Sequence, residues 1–147
     1  MDADLSHPPE QIPRMLEALA SGGDLVVGSR YVRGGSTDAT WSGWRWLTGK
    51  IATLLARPFT SIRDPMSGSF ATHRSWLDVA APLRPIGYKI CLELIVKCPF
   101  ARIVEIPIHF ADRHRGQSKL SFRENVRYLR HLCRLFAFKY GCRPYQR

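Results

Sequence analysis

Residues 24–30 read Asp-Leu-Val-Val-Gly-Ser-Arg, follow Gly22-Gly23 and form a short buried strand by their pattern. The apolar part of this run does not alternate with polar residues, so a strand built from it carries hydrophobic side chains on both faces and must be covered on both. A sheet with layers on each side meets that demand. The neighbouring segments supply the layers. Ile12, Met15, Leu16 and Leu19 fall at helical spacing after Pro8, and Gly22-Gly23 ends that helix. Trp44, Leu47, Ile51, Leu54 and Leu55 share one face of a second helix over 41–57, closed by Pro58.

Further along, Asp64-Pro65-Met66-Ser67-Gly68 is a polar turn entering a short strand through Phe70, with a helix over 76–80 behind it. A helical stretch follows over 89–96, where Lys89 and Glu93 lie one turn apart and can form an ion pair. Residues 102–110 alternate as a strand, and Pro107 marks it as an edge or a bulge. The charged loop over 112–119 carries Gly116. Ser121 and Glu124 form a capping box that opens a last helix reaching about Tyr140. On it Arg123, Arg127, Arg130 and Arg134 make one stripe, and Val126, Leu129, Cys133 and Phe136 another. Two readings fit that helix: a solvated face over a core face, or an interfacial helix on anionic lipid. The order of elements predicts an α/β sheet with helices packed on its faces.

At 147 residues the chain has room for one domain, and no run reaches the roughly 18 apolar residues of a membrane span. The acidic N-terminus is not a basic, cleavable signal, so a cytosolic or peripheral protein is expected. A formal charge of +10 points to anionic partners such as phosphates, an anionic bilayer or nucleic acid. Cys91, Cys98, Cys133 and Cys142 show no metal-binding spacing, and Cys91 and Cys133 are expected as reduced core thiols.

Asp2 and Asp4 lie two residues apart at the very start. In extended chain positions i and i+2 point to one side, so both carboxylates can converge on a hard cation such as Mg²⁺ or Mn²⁺. A turn or helix-entry pair is the competing account.

Six stretches, MDADLSHPPEQIP at 1–13, DLVVGSRYVRGG at 24–35, an Arg followed by an apolar helix at 45–57, DPMSGSF at 64–70, GYKICLEL at 87–94 and VEIPIHFADRHRGQSKL at 104–120, carry a resemblance. In order and spacing the chain resembles the C-terminal part of the dolichol-phosphate mannosyltransferase family, inverting enzymes within glycosyltransferase family 2. The resemblance implies the fold class: α/β, a partial GT-A (Rossmann-like) glycosyltransferase domain over 1–120, lacking its N-terminal nucleotide-binding βα units. A C-terminal amphipathic basic helix and tail would occupy 121–147. Members of the family begin with a V-x-P-x-Y-N-E type segment that this sequence does not contain. The expectation is that the reading frame starts upstream of Met1; a natural or engineered fragment is the alternative.

The implied activity is transfer of a hexose, mannose from GDP-mannose first among them, to a polyprenyl (dolichyl-type) phosphate with inversion. By resemblance, Asp4 and Asp2 hold the metal that bridges the donor diphosphate, with Ser6 where the family often has Gln. Asp4 and Arg113 are the catalytic candidates. Arg30, Arg45 and Arg113 match positions associated with phosphate binding, where a bidentate guanidinium is well suited. Gly49 stands where the family often has Ser. Ser118 and Lys119 close a loop expected to fold over the donor, and Asp64 is expected to orient an Arg or sugar hydroxyls near the acceptor. Trp41, Trp44 and Trp46 fit either a membrane interface or a core. The expected location is peripheral, on the cytoplasmic face of a membrane, with no nucleic-acid partner. A chain without the nucleotide-binding half could be inactive by itself; the alternative function is a non-catalytic basic fragment bound to an anionic membrane surface or another anionic partner.

Overall fold

The computed structural model describes residues 8–38, 43–86, 89–111 and 122–141, with the side chains of Arg45, Phe122 and Arg123 outside that set. Helix α1, Ile12–Ala20, ends where Gly22 adopts φ +89°, a left-handed conformation that glycine enters without strain. Its neighbour Gly23 has no room for a side chain, because a Cβ there would stand 2.8 Å from the Ala18 carbonyl oxygen. Strand β1, Leu25–Ser29, follows at once.

The strand runs through the centre of a three-stranded sheet. Strand β3, Phe70–Thr72, pairs antiparallel with β1, and β4, Ile103–Pro107, pairs parallel on its other side, with Leu25 opposite Ile103. Both faces of β1 are covered, as its apolar run demands. Val26 packs with Met15, Leu19 and Ile106, while Leu25 and Val27 meet Ile62 and Cys91 on the opposite face. Helices α3, Arg74–Val79, and α4, Ile90–Lys97, complete the crossover towards β4. Pro107 closes β4 on the sheet's edge, as expected for a residue with no N–H to donate. The chain then bends away: the Ile108 N–H donates to the Ser29 carbonyl at 3.1 Å, and β5, His109–Phe110, pairs parallel with β2, Ser36–Thr37.

The long helices are α2, Gly43–Leu55, and α5, Phe122–Tyr140, and of the two orientations the sequence left open for their apolar stripes, the core one is not adopted. On α2 the large apolar side chains Trp44, Trp46, Leu47, Ile51, Leu54 and Leu55 all face outward, with Trp44 69% and Leu54 67% exposed. The face turned inward carries Thr53, with Ala56 just beyond the helix. On α5 the stripe Val126, Leu129, Cys133 and Phe136 is exposed, while Tyr128, His131, Leu132 and Leu135 are buried. The physical reason lies in their contact: the Tyr128 hydroxyl donates to the Ala52 carbonyl at 2.6 Å, a close approach that a small-residue face permits. Ala56, Phe59, Leu92, Tyr128, Leu132 and Leu135 form one core cluster there.

Two smaller expectations are corrected. Cys91 is a buried free thiol, but Cys133 lies on the exposed side of α5. Glu93 pairs not with Lys89 but with Lys97 at 2.5 Å, because Lys89 precedes the first residue of α4 and sets its ammonium over the Tyr128 ring. Among the described residues no helix is long and apolar enough to cross a membrane. The capping residue Ser121 lies outside the described residues.

The orientation of α2 is open to direct measurement. Leu92→Ala should cost about 2–5 kcal/mol in urea unfolding, because Leu92 is fully buried. Leu54→Ala should change stability by no more than about 0.5 kcal/mol. The reverse ranking would contradict the outward-facing apolar stripe.

Candidate functional site

The carboxyl ends of the strands are where an open α/β sheet receives ligands. At that end of β1 the residue after Ser29 is Arg30, and its guanidinium meets Asp64 with two parallel bonds. Nε donates to Oδ2 and Nη2 to Oδ1, each at 2.7 Å, and the Arg30 backbone N–H reaches Oδ2 at 3.0 Å. The Asp64 side chain is wholly buried and that of Arg30 is 13% exposed. A buried carboxylate is tolerated only when charge and hydrogen bonds replace water, and three donors from one residue do so here.

The turn that carries Asp64 is itself held in place. Glu105 on β4 accepts the backbone N–H groups of Arg63 at 2.9 Å and Asp64 at 3.1 Å. On the other side the Ser67 hydroxyl donates to the Gly28 carbonyl at 2.6 Å, and the Gly28 N–H returns to Ser69 at 2.8 Å. Gly28 is glycine because a Cβ would sit 3.0 Å from Ile108 Cγ2 and 3.2 Å from Ser69 Cβ. Asp64 therefore holds Arg30 in place through three hydrogen bonds. Nothing in the motif pattern singles out Glu105; its one signal is a carboxylate within an otherwise apolar strand.

The Arg30 guanidinium lies over two aromatic rings, with its central carbon 5.3 Å from the centroids of both Tyr31 and Phe110. Tyr31 extends to α2, where its hydroxyl would lie 3.0 Å from a Cβ added to Gly49, so the missing side chain makes room for it. Among the described residues that hydroxyl is buried without a hydrogen-bond partner, and the Lys50 ammonium lies 4.0 Å from the ring centroid. Burial pushes the Tyr31 hydroxyl above its ordinary range, against the pull of Arg30. Arg45 belongs to α2, and its side chain lies outside the described set.

Of the residues singled out from sequence, the structure thus joins Arg30 and Asp64. Asp2, Asp4, Ser6, Arg113, Ser118 and Lys119 lie outside the described residues. Among the described residues no three metal-type ligands gather. A cavity of about 860 Å³ between α4 and α5, lined in part by Glu93, Lys97 and His131, shares no residue with the Arg30 site.

Two predictions follow from these charges. Arg30→Met leaves the buried Asp64 carboxylate without its guanidinium and should destabilise the fold by about 3–5 kcal/mol, read by urea unfolding. A cost below about 1 kcal/mol would mean the pair does not organise this end of the sheet. The second concerns Lys89, lowered to about 8 by burial with Glu124 opposing. An unfolded lysine holds its proton to about pH 10.4, so between pH 8 and that value the unfolded chain binds more protons and stability rises with pH. Burial also raises the Tyr128 hydroxyl and the Cys91 thiol, which lowers stability at alkaline pH, so the test is a difference. From pH 8 to 10 wild type should gain on Lys89→Met by up to about 3 kcal/mol; parallel curves would remove Lys89 from the account.

The comparisons with known proteins agree with this architecture. Residues 1–79 match the family described as Glycosyl transferase family 2. The chain is 41% identical to the dolichol-phosphate mannosyltransferase of Pyrococcus furiosus, over 95% of this chain and 40% of that protein. The protein of that name from Saccharomyces cerevisiae is 39% identical, over 96% of this chain and 55% of its own length. That from Mycosarcoma maydis is 41% identical, over 98% and 50%. The chain spans about half the length of the curated relatives it matches. The resemblance read from the motifs is thereby borne out, as is the α/β fold expected with it. With the match running through Arg30 and Asp64 and taking in more than half of the 147 residues, the chain belongs to glycosyl transferase family 2.

Proposed function

We propose that the chain acts in the transfer of mannose from GDP-mannose to a polyprenyl, dolichyl-type phosphate, with inversion at the anomeric carbon. The observation that carries this reading is the Arg30–Asp64 pair at the carboxyl end of β1, in a chain similar to proteins named dolichol-phosphate mannosyltransferase. The acceptor phosphate, with a second pKa of about 6, is largely dianionic at pH 7 and attacks without a general base. What the protein must supply is cations. Asp64 holds the Arg30 guanidinium in a fixed orientation, and a planar fork of that kind suits a phosphate. Arg45 on α2, and Arg113 and Lys119 in the segment after β5, would add the remaining charge, with Ser118 as a hydroxyl donor.

Asp2, Asp4 and Ser6 would offer oxygen donors only, a chemistry that fits Mg²⁺ or Mn²⁺. Bound there, the ion would supply Lewis-acid stabilisation of the leaving nucleoside diphosphate.

The proposal includes peripheral attachment to the cytoplasmic face of a membrane. It is supported by the exposed stripe of α2, with Lys50 and Arg57 beside it, and by the exposed apolar side chains of α5 next to Arg127, Arg130 and Arg134. Indole and aliphatic side chains flanked by cations suit an anionic interface. The same arrangement favours a second reading, a non-catalytic basic fragment held on an anionic surface.

Transfer of radiolabelled mannose from GDP-mannose to polyprenyl phosphate, extracted as lipid, separates the two. The chain, or a chain extended to the length of its relatives, should give product that depends on Mg²⁺ or Mn²⁺. Asp4→Asn and Arg113→Ala should each lower the rate on the order of 10²-fold. No transfer by either form would sink the enzymatic reading, and vesicle binding without transfer would leave the second.

A further inference from the structure

The β2–β5 ribbon carries a connected set of side chains that the proposed reaction does not use. Ser36 Oγ lies 2.8 Å from His109 Nδ1, and His109 Nε2 lies 2.9 Å from Asp38 Oδ1. By role these are the nucleophile, base and orienting acid of a hydrolase. The surroundings argue against that use. The Ser36 N–H donates to the Ile108 carbonyl at 3.0 Å and the Asp38 N–H to that of Phe110 at 3.2 Å, so neither is left to stabilise an oxyanion.

Their place in the fold gives a different role. Each strand of the ribbon is two residues long, too short for its ladder alone to fix it firmly. Successive side chains in a strand leave opposite faces, so an exposed His109 goes with a buried Phe110. Phe110 is one of the two rings against which Arg30 rests. The bridge also tolerates a change of charge. Neutral His109 donates from Nε2 to Asp38 and accepts the Ser36 hydroxyl at Nδ1; protonated, it donates from both nitrogens.

We infer that the Ser36–His109–Asp38 bridge is a positioning element for Arg30. It clamps β5 to β2 and so fixes the Phe110 ring that supports the guanidinium. The inference rests on Arg30 being a phosphate-binding residue, and its test separates the two ideas. The Arg30 Nε–H signal in nitrogen-edited NMR reports the geometry directly, and titration with farnesyl phosphate reports the site. In His109→Phe and Ser36→Ala, Nε–H exchange should be at least about threefold faster and farnesyl phosphate binding about threefold to tenfold weaker. Ser36→Thr, which keeps the hydroxyl, should match wild type. Ser36→Ala decides the matter if His109→Phe disturbs the whole spectrum. Wild-type binding with an unchanged Arg30 signal and affinity in Ser36→Ala would overturn the positioning role alone. A wild-type chain that does not bind farnesyl phosphate would overturn the phosphate reading of Arg30 and the inference with it.

Discussion

The pairing of Arg30 with Asp64 is the interaction on which this end of the molecule depends. A carboxylate with no exposed surface can stay ionised only among donors, and Asp64 has the backbone and two side-chain N–H groups of Arg30 around it. Those donors arrive correctly only if the turn bearing Asp64 is fixed against both the end of β1 and β4. Glu105 does the second and Ser67 the first. Two carboxylates in series thus set one guanidinium, with backbone N–H groups as the link between them. Removing any member leaves a polar group buried without its partner, so the arrangement is cooperative in the way that buried networks are.

Much of this was legible in the sequence. The run Leu25-Val26-Val27 announced a strand covered on both faces, and Gly22-Gly23 announced the stop before it. Pro107 announced an edge. The Asp64 turn and Arg30 could be singled out by motif, but their mutual bond could not, because 34 residues separate them and nothing in either segment names its partner. Glu105 was hidden for a related reason: its role is to accept backbone N–H groups, and backbone carries no sequence signal.

On the long helices periodicity leaves the orientation open between a core and an interface. A stripe of large apolar residues shows that a helix has two unlike faces, but it does not say which face meets the rest of the protein. On α2 the large side chains Trp44, Leu47, Ile51 and Leu54 point outward, and Ala52, Thr53 and Ala56 bring α5 close enough for Tyr128 to reach a backbone carbonyl. On α5 the buried residues Tyr128, His131, Leu132 and Leu135 include two with polar groups, which a hydropathy reading passes over. Cys133 followed its stripe to the surface for the same reason.

That outward stripe bears on what the proposed reaction asks of a protein. A polyprenyl phosphate is an anionic head on a chain too apolar to leave the bilayer, so its enzyme needs cations next to a surface that tolerates lipid. Helix α2 meets both needs with its two sides. The side at Gly49 adjoins Tyr31, whose ring rests against Arg30, while Trp44, Leu47, Ile51 and Leu54 cover the other. Burying those large residues would have stabilised the isolated fold by about 1.5–3 kcal/mol each, so their exposure is a sizeable sacrifice unless something apolar covers them. Under the proposed function that cover is the membrane holding the acceptor. The small face that admits Tyr128 and the large face left outside then follow from one requirement: a helix anchored to the core on one side and free to meet lipid on the other.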